Sequence, residues 1–594
     1  MSQSTLETTT GLATDLSWLE RYSHERVELE QAVVPLRLAA ALLRNHVGPL
    51  LANRPALPLH IAVVGGAGTG KSTVANFLIG RAIAEANPQA GFTRHPVAYV
   101  AAGSEFSTQL QQGILGPLVS IPGPVSSDRD EDVYQVRLVG QVTAENEPLQ
   151  MAVVWDCPDM TTWKANQYQT RLVETIGLAD LVIYVASDER YNDAWPTQYL
   201  QYMLQAGKPV IACLTKMQPE QAEPLLKHFR EHVIARIPEC SGVSAIVALP
   251  TLTAAEQADP AGAASPHRHR LLEPVHWWLK KPHKTRHDSA TRAVRFLNQF
   301  QETLLAPARH DLNAVAQWKR WVNDGQVTFE QRFLSEQLSG EQFPQFAVAM
   351  IRLMELLELP GVGQYISKAM YVLRSPYRWV KSWIKKPDAV TVSMQQVISA
   401  GFQGWLDQLR RELLAQDANQ PVWKALREAY QQGIDQQLTT SFQKQLACFV
   451  ELQAKESDTI AKAIYEELEK SPTALNTLRG LKFSVEAASL TGVIVTAGTH
   501  LLLDAVLVPV VASLTQAVTE ALGKQYIDAQ REKARTRLMS LFTQSLSQPM
   551  AEQLRHWPDS LVPELPHLQG IVERVPTALS SIQRELEQCA GEAT

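Results

Sequence analysis

Apolar positions near the start of the chain fall on a helical period. Leu16 and Leu19 open the pattern, and Leu29, Val33, Leu36, Ala40, Leu43 and Val47 continue it at alternating spacings of four and three. This predicts a helical segment over 15–56, kinked or split at Pro35 and ended by Arg54–Pro58. The polar stretch before it, 1–14, reads as a disordered tail. From residue 57 the pattern changes to short apolar runs separated by helix-like stretches. Ile61–Val64, Val133–Gly140, Leu149–Asp156, Ala179–Ser187, Lys208–Thr215 and Val243–Pro250 are predicted strands. Apolar strands alternating with helices imply a mostly parallel sheet with helices on both faces. Beyond a Pro/Ala/His-rich joint, Thr253–Arg270, the pattern is helical almost to the end. The predicted order is a tail (1–14), a helical segment (15–56), an α/β domain (57–255), a hinge (256–290) and an extended all-α helical bundle (291–594).

The first strand runs into a glycine loop, "GGAGTGKST", comprising Gly65, Gly66, Ala67, Gly68, Thr69, Gly70, Lys71, Ser72 and Thr73. Strand, G-x-x-x-x-G-K-[ST] and helix follow in the order a phosphate cradle requires. Glycines let successive backbone N–H groups curl around a phosphate chain. Lys71 is positioned for the β- and γ-phosphates, and Ser72 for Mg²⁺. Asp156 ends a strand, where it can hold Mg²⁺ through water. Thr93, between the loop helix and the next predicted strand, can complete the metal shell. Thr215 and Lys216 end another strand, with Lys216 placed to lie over a base ring. These residues all fall at the carboxyl ends of strands, where open α/β sheets bind ligands.

With these motifs in place, the chain resembles the translation-factor-like GTPases, and within them the bacterial dynamin-like proteins. Gly65–Ser72 resembles the first GTPase motif and Thr93, in "TRHP", the second. Asp156-Cys-Pro resembles the third motif and Thr215-Lys216 the fourth. The resemblance implies a P-loop GTPase domain over about 58–251, with Lys71 and Thr93 in catalysis, and Ser72, Thr93 and Asp156 around the metal. It implies GTP and Mg²⁺ as ligands, with ATP kept as an alternative. Three positions depart from the family pattern. Gln218 stands where an Asp recognises guanine, which predicts a weaker preference for GTP over ATP. Asp159 replaces a glycine whose N–H lies near the γ-phosphate, which predicts repulsion unless the side chain points away. Ala67 replaces a polar residue that positions water, which predicts slow hydrolysis.

Composition narrows the setting. With a net charge of −6 and 20% charged residues among 594, the chain shows no clear nucleic-acid bias. Cys157, Cys213, Cys240, Cys448 and Cys589 are scattered without C-x-x-C pairs, as in a reduced, cytoplasmic protein. The N-terminus has neither the basic region nor the apolar core of a signal peptide. His276–His287 has several imidazoles at spacings that fit no ligand set and reads as a basic hinge.

Two stretches of the helical half are candidates for membrane lipid. Gly363–Pro387 interleaves Tyr and Trp with Lys and Arg, and Ala488–Val518 is the most apolar run in the chain. A packed helix pair is the competing reading of each, because His500, Asp504 and Pro509 interrupt the second. The leading expectation is a nucleotide-dependent GTPase, peripheral at the inner face of a membrane, that self-associates through its nucleotide domain or helical stalk. A soluble regulatory GTPase with a protein or ribosomal partner, and a non-hydrolysing nucleotide-binding scaffold, stand as alternatives.

Overall fold

The computed structural model describes residues 3–24, 26, 29–52, 58–85, 93–103, 105–122, 132–160, 165–237, 243–338, 344–358, 394–480 and 500–592. The Gly363–Pro387 stretch lies outside them, as does 488–499 of the apolar run. The chain divides into two compact units, 1–310 with 567–594, and 311–566.

The first unit is built on an eight-stranded sheet: β1 (Leu59–Gly65), β2 (Val97–Val100), β3 (Val119–Pro122), β4 (Val133–Leu138), β5 (Ala152–Asp156), β6 (Leu181–Ser187), β7 (Val210–Met217) and β8 (Ala245–Pro250). The spatial order is β3-β4-β2-β5-β1-β6-β7-β8, parallel throughout except where β2 meets β5. Strands β1, β5 and β6 are buried at every residue, which is why their sequences are continuous apolar runs rather than alternating ones. The predicted strands are all present, with ends shifted by a few residues. Two strands were not predicted: β2 and β3, each four residues long and too short to show a period.

Three expectations about the flanks are corrected. The predicted tail is part of a helix, Gln3–His24. Its threonines satisfy their hydroxyls on its own carbonyls, as in Thr9 Oγ1 to Thr5 O at 2.8 Å and Thr14 Oγ1 to Thr10 O at 2.9 Å. Leu12, Ala13, Leu16 and Leu19 supply the buried stripe. Pro35 does not split the next helix, Glu30–Leu42, whose break from the first lies upstream. The predicted hinge is mostly helical, Ser265–Leu279 and Pro282–Gln299. Leu271, Leu272, Val275 and Leu279 join the sheet's core, so this segment is part of the domain.

The final helix, Leu565–Glu592, also packs within the first unit rather than extending the helical one. Arg574 holds both oxygens of Asp15, and His287 reaches the carbonyl of Leu586 at 3.0 Å. His276 meets Glu147 at 2.7 Å, so these imidazoles serve packing.

The second unit is all helical in its regular structure. Its core is aromatic. Phe333 stacks on Phe542 with centroids 3.9 Å apart, and Phe402 on Phe442 at 4.0 Å. Gly325 lets a helix pass against Trp405, since a Cβ there would sit 2.0 Å from the indole nitrogen. The apolar run ends in a helix, His500–Leu522. Among the described residues no helix is long and apolar enough to cross a membrane.

Candidate nucleotide-binding site

Five adjacent strands, β5, β1, β6, β7 and β8, point the same way, so Asp156, Gly65, Ser187 and Thr215 gather at one end of the sheet. Register fixes this arrangement. Val63 pairs with Asp156, Gly65 with Val185, and Ser187 with Thr215. At Gly65 the chain leaves β1 so close to β6 that a Cβ would lie 2.1 Å from the carbonyl oxygen of Val185. Gly70, at φ +89°, turns the loop into the helix Lys71–Ile79 in a conformation other residues adopt only under strain.

Within the loop, the carbonyl of Gly66 accepts from Thr69 Oγ1 at 2.9 Å and from Lys71 Nζ at 3.0 Å. Lys71 is buried, and its ammonium also pairs with the carboxylate of Asp159. The condition under which Asp159 would escape repulsion, a side chain pointing away, is therefore not met. It points inward, at the cation that the motif supplies for phosphates. Thr73 follows Ser72 on the loop helix, half-buried, and Gly68 is exposed at the tip.

Ser72 donates to Asp156 Oδ2 at 2.8 Å, which brings together two of the three predicted metal residues. Asp156 is fully buried, and its other oxygen, Oδ1, has no hydrogen-bond partner. Burial raises its pKa to about 6 and Asp159 adds to the rise, against the pull of Lys71 and Ser72. A buried carboxylate oxygen left open beside a serine hydroxyl is a donor set that suits a hard divalent cation. Thr93 is half-buried on the irregular segment that leads into β2, whose Val97 pairs with Asp156. No hydrogen bond joins Thr93 to Ser72 or Asp156 among the described residues, so the second motif is near this edge without meeting the metal pair.

Thr215 has a role that its motif position did not suggest. Its hydroxyl donates to the carbonyl of Thr69 at 2.6 Å, so the end of β7 braces the phosphate loop. Lys216 sits in a bulge of β7 at φ +57°, exposed, and Gln218 is exposed two residues on.

Sequence reading missed two arginines. Arg190, just past β6, donates to the carbonyl of Ala67 at 3.3 Å. Its place after a strand on the same edge was the available signal. Arg171, buried on the helix Ala165–Leu178, donates to the carbonyl of Arg94 at 3.0 Å and to Asp132 at 3.2 Å. It thereby ties the segment that carries Thr93 to the helix that follows the Asp156 loop. On the same helix Glu174 accepts from Arg44 at 2.8 Å and Asn45 at 2.6 Å, at the end of the N-terminal helical segment. No sequence signal marked either of these pairings.

The sequence model of a family described as a 50S ribosome-binding GTPase matches residues 60–216. No curated protein sequence matches the chain. Among solved structures, an oligomerised bacterial dynamin pair, described as a mechanism for long-range sensing and tethering of membranes, is 12% identical. It aligns over 94% of this chain and 91% of its own, with a TM-score of 0.38. The LeoA bacterial dynamin GTPase from ETEC is 12% identical over 99% of this chain and 97% of its own, with a TM-score of 0.22.

Proposed function

Taking residues 60–216 as a P-loop GTPase domain, we propose that the chain binds GTP with Mg²⁺, hydrolyses it slowly, and couples the bound state to its helical parts in a dynamin-like manner. The observation that carries this reading is the joined set of Lys71, Ser72 and Asp156 at the mouth of the glycine loop. Gly65–Thr73 wraps the phosphates, and Lys71 neutralises the β- and γ-oxygens. Ser72 and Asp156 hold the cation, directly and through water, and Thr93 joins them when triphosphate orders its loop. Mg²⁺ held there would offset the charge of the phosphates. Thr215 braces the loop, and Lys216 faces the base.

Coupling is supported by the chain of contacts through Arg171 and Glu174. A shift of the Thr93 segment pulls on a helix that also contacts the N-terminal helical segment. Membrane association rests on the basic-aromatic stretch Gly363–Pro387 and on the apolar run that ends in His500–Leu522. Self-association through the nucleotide domain or helical stalk belongs to the same reading, as does a place at the cytoplasmic face of a membrane.

Lys71→Ala tests the nucleotide part. It removes charge-assisted bonds worth ~1.5–3 kcal/mol each, so a fluorescent GTP analogue should bind at least ~100-fold more weakly. Equal affinity would end the reading. Flotation of the full chain with anionic liposomes, with and without GTP, tests the membrane part. Failure to float in either condition leaves the soluble regulatory GTPase in its place.

A further inference from the structure

Asp159 is held where a terminal phosphate would need space. Two backbone bonds fix the loop that carries it. The N–H of Cys157 donates to Val63 O at 3.2 Å, and the N–H of Met160 donates to Gly65 O at 3.2 Å. Between them Pro158 has a locked φ and restricts the residue before it. Asp159 is buried, and its carboxylate cannot turn to solvent without giving up Lys71. Its partner is Lys71, the cation of the glycine loop, and a second carboxylate, Asp156, lies beside the same lysine. The lysine that a γ-phosphate would claim thus already carries an anion.

We propose that Asp159 is a specificity-determining residue that biases this site against nucleoside triphosphates relative to diphosphates. The inference rests on the GTP-binding reading above and refines it. A diphosphate ends short of the Asp159 carboxylate and shares Lys71 with it. A triphosphate brings additional negative charge against that carboxylate and competes for the same ammonium. Repulsion between like charges a few ångströms apart in a buried site is large compared with the same pair in water. The cost falls chiefly on the γ-phosphate, because the β-phosphate, although it shares Lys71, also has the loop N–H groups and Ser72.

The test is equilibrium titration of the full-length protein with GDP and with a non-hydrolysable GTP analogue, both in saturating Mg²⁺. Wild type is compared with Asp159→Asn, which keeps the shape and removes the charge, and with Asp159→Gly, which removes the side chain. Both variants should raise the ratio of triphosphate to diphosphate affinity by about tenfold or more. Thermal melting without nucleotide identifies a variant that has lost its fold, in which case the other variant carries the comparison. A ratio unchanged in folded variants, or shifted toward GDP, overturns the proposal while GTP binding itself stands. Equal tightening of both nucleotides overturns it too, since Asp159 would then be a general competitor. Absence of guanine-nucleotide binding in wild type and both variants would overturn the binding reading together with this one. Binding of the triphosphate analogue that emerges in the variants alone supports the proposal.

Discussion

Asp156 and Asp180 lie at opposite ends of the same sheet, both fully buried, and burial by itself raises the pKa of each. Their surroundings then drive them apart. Asp180 accepts from the backbone N–H of His60 at 2.8 Å and from two nitrogens of Arg286 at 3.1 and 2.9 Å, and His46 lies 3.7 Å away. Despite burial, Arg286 and these bonds hold its pKa well below the usual carboxylate range. Asp156 has one serine hydroxyl and an open oxygen, and it is raised to about 6. A carboxylate whose lone pairs are filled by the fold is a fastener. A carboxylate left short of partners is poised for a ligand that the fold does not contain.

The largest expected effect comes from breaking the fastener. Asp180→Ala should destabilise the nucleotide unit by about 3–5 kcal/mol, because it strands Arg286 and the His60 N–H in the interior. Urea unfolding monitored by far-UV circular dichroism reads this, and a loss below ~1 kcal/mol would mean that Asp180 is not the anchor its contacts describe.

Asp156→Asn should do the reverse. The nucleotide-free protein should be as stable as wild type or slightly more so, since an ionised carboxylate no longer has to be kept dry. Mg²⁺-dependent affinity for GTP should fall by ~10–100-fold. Unfolding on the scale of Asp180→Ala would erase the contrast between the two ends.

The third way to probe the contrast is a pH slope. His60, whose Nδ1 accepts from Trp155 Nε1 at 3.0 Å, is lowered by burial to about 3, with Lys208 and Arg286 assisting and Asp180 opposing. His46 is lowered by burial and Lys208. The unfolded chain binds protons on both imidazoles below about pH 6.5 while the folded chain resists. The stability that these two imidazoles contribute is therefore complete above that pH and falls as pH drops toward 5, by ~1.4 kcal/mol per unit for each in the limit, while Asp156, raised to about 6, opposes it below pH 6. His60→Gln should remove the share of His60 and leave that of His46, and melting curves at pH 7, 6 and 5 check it. A slope that His60→Gln leaves unaltered would assign the effect elsewhere.

Much of the nucleotide unit was legible because its signals are local. The glycine loop needs particular residues at consecutive positions, and a buried parallel strand needs an unbroken apolar run. Gly65, Gly70, Lys71 and Ser72 could be placed before any contact was known. The helical segments could also be read from period alone, although the first half of the first helix, residues 3–14, was read as a tail because its threonines look polar. Their hydroxyls bond back to the helix, which a composition argument does not see.

By itself, then, the sequence determined the order of elements, the phosphate loop and the strand end that carries Asp156. Tertiary structure decided everything that depends on partners distant in the chain. It set the direction of the Asp159 side chain toward Lys71, 88 residues away. It gave Thr215 to the carbonyl of Thr69, 146 residues away, and it brought Arg171 to the backbone beside Thr93. It returned the last helix to the first unit, where Arg574 meets Asp15 across 559 residues. The physical reason is common to all four. Period and motif are properties of neighbours along the chain, whereas the charge a buried side chain meets is set by whichever strand or helix folds against it.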